Sequence, residues 1–232
     1  MSKPESKDIL LDAQGLCAWY GAAQALFDVS LRVSPGELVV LEGLNGAGKS
    51  TLLQSVIGLG PRVRGEVVFQ GQSLTALPAH ARARLGLGFV PEDRRLFADL
   101  TVRENLLVAA RLPASQAHGV AVSSTAQQLE QVLVLFPALK PMQKRRALEM
   151  SGGEQQMLSM ARTLMTSPSM LLLDEPCEGI APVLVEAIVD ALLKLKGQGM
   201  AMLIAEQNTL LAAHADRVIT LVAGQTGAHL TP

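Results

Sequence analysis

The nine residues GLNGAGKST, Gly43 to Thr51, constrain this chain more than any other stretch. Gly43 and Gly48 bracket four residues, with Lys49 and Ser50 directly after, the spacing of a phosphate-binding loop. Glycines let backbone N–H groups converge on an anion with no Cβ in the way. A helix starting where the loop ends aims its positive terminus at the same anion. Lys49 adds a compact positive charge, and the Ser50 hydroxyl can ligate Mg²⁺. The flanks agree: apolar ELVVLE (37–42) precedes the loop, and a helix is expected from near Gly48 to about Ile57, stopped by Gly58 and Gly60. Gly43, Leu44, Asn45, Gly46, Ala47, Gly48, Lys49, Ser50 and Thr51 are therefore the candidate phosphate-binding residues.

Such a loop belongs between a strand and a helix of a mostly parallel sheet. The 232 residues suit one domain with a subdomain. Hydrophobic residues make up 49% and mean hydropathy is +0.29, yet no apolar run nears the ~20 residues of a membrane span. The apolar residues come in strand-sized pieces, as in a parallel sheet covered on both faces. Strands are expected at 16–20, 27–33, 37–42, 65–71, 170–174, 201–206 and 217–223. Helices are expected at 101–112, where Thr101 and Glu104 form a capping box, and at 126–136, ended by Pro137. A loop over 113–125 joins them. Further helices run from about Gly152 to Thr166 and from near Pro182, with a short one before 217. The core is read as 1–92 and 151–232, and a mostly helical subdomain as about 93–150.

The segment LLLDEPCEGIAP, 171–182, ends an apolar run on two adjacent acids, Asp174 and Glu175. Buried acids need partners. Beside a phosphate loop the partner is a metal on the bound nucleotide: Asp174 holds Mg²⁺ next to Ser50, and Glu175 is the candidate general base for an attacking water.

Net charge is −1, so nothing in the overall charge points to nucleic acid. KPMQKRR, 140–146, reads as a solvated loop. Cys17 and Cys177 lack metal-ligand spacing. The N-terminus MSKPESKDILL lacks a charged-then-apolar leader, so a cytoplasmic location is the default expectation.

EMSGGEQQML, 149–158, resembles the signature motif of ABC-type ATPases, with Met150 and Glu154 replacing the usual leucine and glutamine. VPEDRRLFADLTVRENL (90–106), LLLDEPCEGIAP and IAEQN closely resemble the ATP-binding subunits of branched-chain amino acid importers and their urea and amide relatives; LPAHARARLGLGFVPE (77–92) adds to this. The resemblance spans essentially the whole chain. It implies an α/β P-loop NTPase of ABC type, with a mostly parallel sheet core, an antiparallel β portion and a helical subdomain.

The resemblance further implies ATP and Mg²⁺ as cofactors. Tyr20 matches the aromatic that stacks on adenine. Ser151, Gly152, Gly153 and Glu154 would meet the γ-phosphate from across a dimer interface. Glu92 stands at the position of the glutamine that touches Mg²⁺, Ala181 at that of an interface aspartate, and Gln207 at that of the switch histidine. The implied partners are integral membrane permeases, a second ATP-binding subunit (a sister chain or an identical one) and, indirectly, a solute-binding protein. The location implied is peripheral, on the inner face of the cell membrane. Two other readings stay open: a non-hydrolysing regulatory subunit, which Ala181 and Gln207 would suit, and a soluble ABC-type ATPase outside transport. Cys177, close to Glu175, is read in two ways: as a target for inhibitory thiol reagents or as an inert small residue.

Overall fold

The computed structural model describes residues 9–110, 124–207 and 209–227. The chain begins with two long strands, β1 (Leu11–Tyr20) and β2 (Ala23–Val33), followed by β3 (Leu38–Glu42) and α1 (Lys49–Ile57). Next come β4 (Arg62–Phe69), β5 (Gln72–Ser73), α2 (Ala79–Arg84) and β6 (Leu87–Val90). The helices α3 (Val102–Ala110), α4 (Thr125–Leu135) and α5 (Gly152–Leu164) precede β7 (Met170–Asp174). The chain continues through α6 (Pro182–Gly197), β8 (Ala201–Ala205), α7 (Thr209–His214), β9 (Arg217–Val222) and β10 (Gln225–Thr226).

Two sheets result. One is antiparallel, in the order β2-β1-β4-β5. The other runs β10-β9-β3-β8-β7-β6, parallel except for the edge strand β10. The continuous apolar runs follow from burial of both faces of the parallel sheet. In β3, Val39 and Leu41 face a core shared with the antiparallel sheet and α1, while Leu38 and Val40 face a second core built by α3 to α7. The same alternation holds in β7 and β8: Leu172 and Leu203 point one way, Leu171, Leu173, Met202 and Ile204 the other. Each such leucine contributes roughly 1.5–3 kcal/mol by leaving water.

The expected elements are present with shifted bounds. The strand expected at 16–20 is the second half of β1; register irregularities between Ala13 and Trp19 separate it from the regular pairing of Leu11 to Ala13. Thr101 and Glu104 form the expected capping box: the Thr101 N–H donates to Glu104 Oε2 at 2.8 Å. Helix α4 starts one residue early because Ser124 caps it, in a capping box with Gln127. The expected loop at 113–125 lies outside the described residues up to position 123. Helix α2 and strand β6, within 77–92, were not expected.

Helix α2 fixes α1, and with it the phosphate loop. Arg82 is buried and donates to Leu77 O at 2.9 Å, Ser55 O at 3.0 Å and Val56 O at 2.8 Å. The last two carbonyls belong to the final turn of α1, which has no helical partners for them. Replacing Arg82 with methionine leaves these acceptors dry and unpaired, so urea unfolding should show a loss of about 2–4 kcal/mol. A loss under about 0.5 kcal/mol would mean water takes over all three bonds.

Candidate nucleotide site

The loop from Gly43 to Gly48 joins β3 to α1 at the C-terminal edge of the parallel sheet, where ligands of open α/β folds bind. Gly48 enters the helix with φ 105°, and a Cβ there would lie 2.9 Å from Leu26 Cδ2 and 3.2 Å from Ala25 O. No other residue fits that turn without strain. The loop bounds a cleft of about 410 Å³, lined among others by Gln24, Phe27, Gly46, Lys49, Ser50 and Glu175.

Lys49 is only 3% exposed. Its Nζ donates to Gly43 O at 2.8 Å and lies 3.3 Å from Glu175 Oε1. A polyphosphate oxygen offers the same buried cation an acceptor of the same kind. One residue on, Ser50 Oγ donates to Asp174 Oδ1 at 2.8 Å. The hydroxyl and carboxylate expected to share Mg²⁺ are thus adjacent, although 124 residues apart in sequence. Burial pushes the Asp174 carboxyl up to about 6; Ser50 and Lys49 oppose this, while Glu175 and Glu92 add to it. A divalent cation would remove that penalty. Among the described residues no three His, Cys, Asp or Glu side chains converge on a ready metal site. Ser50 and Asp174 therefore fit an ion that takes its other ligands from phosphate and water, as Mg²⁺ does.

Glu175 leaves β7 with φ 46°, its N–H bound to Ala205 O at 2.9 Å. Burial works to raise its carboxyl, but hydrogen bonds from Glu178, Lys49 and Gln207, with the Lys49 charge, hold it below the usual carboxylate range. The hydrogen bond and the charge of Glu175 in turn push Glu178 up to about 7. Gln207, exposed just beyond β8, donates from Nε2 to Asn45 Oδ1 of the loop. The structure thus gathers Asn45, Lys49, Ser50, Asp174, Glu175 and Gln207. Glu92 is exposed just past β6, and its charge reaches Asp174.

Other expected residues lie apart from this cluster. Tyr20 ends β1, 46% exposed, and donates to Gln54 of α1 at 2.9 Å; it does not line the cleft, whereas Phe27 does. Ser151 to Glu154 open α5 and do not line it either. Ser151 caps α5, and Glu154 Oε2 accepts the Ser151 N–H at 2.7 Å, a capping role that the usual glutamine also fills. Gly153 has a packing reason of its own: a Cβ there would lie 2.4 Å from Leu184 Cδ1 of α6. Ala181 is the N-cap of α6 and supplies no side-chain cap.

Of the two readings of Cys177, the structure favours the inert one. The thiol is buried, and burial together with Glu206 pushes it far above the ordinary thiol range. The nucleophilic thiolate is therefore scarce. A bulky maleimide should label Cys177 at least about 100-fold more slowly in folded than in urea-unfolded protein; comparable rates, followed by mass spectrometry, would contradict this. Cys17 is half-buried and its Sγ accepts the Asp28 N–H at 3.3 Å.

Sequence reasoning did not single out Glu206, Arg94 or Glu178. Arg94 has φ 60°, donates to Gln156 Oε1 at 3.2 Å, and its carbonyl accepts from Ser159 and Arg162 of α5. It ties the segment after Glu92 to the helix that Ser151 opens.

A glycine loop between strand and helix, a buried lysine and a serine paired with a strand-end aspartate define a P-loop nucleotide-binding protein. The family model described as "ABC transporter" matches residues 26–178. The branched-chain amino acid transport ATP-binding protein BraG of Pseudomonas aeruginosa is 40% identical over 96% of this chain and 93% of its own length. The probable transport ATP-binding protein LivF of Archaeoglobus fulgidus is 37% identical over 90% of this chain and 87% of its own. A nucleotide-free ATP-binding cassette from an ABC transporter superposes with a TM-score of 0.81, at 27% identity, over 95% of this chain and 90% of that one. The chain belongs to the ABC transporter family. It is an ATP-binding subunit with the ATPase chemistry of that family, homologous to the ATPases of branched-chain amino acid importers. The expected fold, with its parallel core, antiparallel portion and helical part, is the one observed.

Proposed function

We propose that this chain is the energy-coupling ATPase of an importer for branched-chain amino acids or a related small polar solute. The observation that carries the reading is the 40% identity to BraG over 96% of the chain. Among the described residues no helix is long and apolar enough to cross a membrane, so the path for the solute would lie in separate permease chains. The subunit would work in the cytoplasm, peripheral on the inner face of the membrane, with a solute-binding protein delivering cargo on the far side.

In this reading MgATP occupies the cleft. The backbone of Gly43 to Gly48, with Lys49 and Thr51, holds the phosphates in the cleft, and the adenine would extend beyond it to Tyr20. Ser50, Asp174 and Glu92 hold Mg²⁺, whose charge offsets that of the phosphates. Glu175 takes the proton of the attacking water, and Gln207 donates a hydrogen bond towards the terminal phosphate. Ser151, Gly152 and Gly153 complete the site from a second ATP-binding subunit, with Glu154 bracing that turn. Their distance from the cleft in one chain supports this, as does the positive end of α5 at the exposed Ser151. Residues 93–150, tied to α5 through Arg94, would pass the closing motion to the permeases.

A tagged chain purified from native membranes in mild detergent tests the assignment. Two multi-span permeases encoded with a binding protein for branched-chain amino acids should come with it. Recovery with soluble complexes alone would remove the importer reading.

A further inference from the structure

The C-terminal ends of β7 and β8 carry Glu175 and Gln207, and one further side chain ties them together. Glu206 is only 3% exposed. Its Oε2 accepts the Cys177 N–H at 3.0 Å, and its Oε1 accepts the Gln207 N–H at 2.8 Å. The Cys177 thiol also hydrogen-bonds this carboxylate. The Glu206 N–H donates to Leu41 O at 3.1 Å, at the strand end that leads into the phosphate loop. One buried side chain therefore binds the turn just after the candidate base to the backbone of the switch glutamine, while its own backbone is anchored beside the loop.

We infer that Glu206 is a positioning residue for hydrolysis, holding Gln207 in register with Glu175 and the phosphate loop. The inference rests on reading Glu175 and Gln207 as the hydrolytic pair. A buried carboxylate is costly unless strongly hydrogen-bonded, so a purely apolar role would be served better by leucine or methionine. The chemistry of the contacts favours an acid in particular. An ionised carboxylate accepts at both oxygens, whereas a glutamine amide accepts at one end and presents N–H groups at the other. In Glu206→Gln one of the two backbone N–H groups must then face a donor. Either the turn at Cys177 or the backbone of Gln207 comes loose. Gln207 reaches Asn45 and Glu175 through its side chain, so a shift of its backbone moves both contacts. Nucleotide binding through the loop and Lys49 does not use these bonds and should persist.

The test is a double-mutant cycle on the full-length chain, measuring steady-state MgATP hydrolysis normalised to bound nucleotide. Glu206→Gln should lower kcat about tenfold with KM within about twofold. In a Gln207→Ala background the same change should lower kcat by less than about twofold, because the route through Gln207 is already gone. Loss of fold alone would lower the bound nucleotide, which the normalisation removes, and would act equally in both backgrounds. An equal loss in both backgrounds, a loss confined to KM, or unchanged kcat in the Glu206→Gln single variant overturns the inference. Failure of the underlying reading shows in the single variants: Glu175→Gln or Gln207→Ala with the parent's kcat overturns both, without any Glu206 variant.

Discussion

Glu175→Gln is expected to lower ATP turnover by about 10²- to 10⁴-fold, the range a lost general base commands, while MgATP still binds. The substitution keeps shape and size and removes only the basic oxygen. In the parent, burial alone would raise this carboxyl, but Glu178, Lys49 and Gln207 hold it below the usual carboxylate range. It is therefore ionised near neutral pH and stands at the edge of the cleft. The amide keeps an acceptor for Lys49, so the loop should hold its conformation. Binding of a fluorescent ATP analogue should change by no more than about threefold, a small shift beside the catalytic loss. Turnover within twofold of the parent, with binding intact, would falsify the assignment of Glu175 as the base and move weight to a non-hydrolysing subunit.

What could be read in the sequence was what is local. The phosphate loop is a nine-residue pattern whose strand and helix lie directly against it, so spacing and context sufficed. The Thr101 cap is likewise a four-residue pattern. Long-range facts were not legible in the residues alone. Strand β6 is four residues, LGFV, with a glycine inside, and its identity comes from pairing with β7 some eighty positions on. The first half of β1 was missed because register shifts between Ala13 and Trp19 break the alternation that would join it to 16–20. Arg82 looked like one more arginine in ARAR; only folding places α1 above it. Within the site, the pairing of Ser50 with Asp174 was legible because both motifs are familiar. The role of Glu206 was not, because the Cys177 N–H that it holds lies 29 residues away and an acid next to Gln207 carries no pattern. Cys177 was open to both readings in the sequence, reactive beside Glu175 or inert, and burial beside Glu206 favours the second.

Lys49→Ala should weaken MgATP binding by about 10- to 100-fold, since a hydrogen bond to a charged group contributes about 1.5–3 kcal/mol and each 1.4 kcal/mol is tenfold. Two effects add. The nucleotide loses a buried cation that the loop holds ready, its Nζ fixed at 2.8 Å from Gly43 O. Glu175 loses its 3.3 Å counter-charge, so its carboxylate stands unpaired beside the cleft and repels an anionic ligand. Thermal unfolding separates these from misfolding. At a MgATP concentration of about 100 Kd the parent should gain about 2.7 kcal/mol of stability from the ligand. At the same concentration Lys49→Ala should gain roughly 0.4–1.4 kcal/mol, because its Kd is 10- to 100-fold higher. Without ligand the variant should melt as a single cooperative transition, because the helix start and the Ser50–Asp174 bond do not depend on the ammonium. A ligand-induced shift as large as the parent's would show that the backbone of the loop alone holds the phosphates.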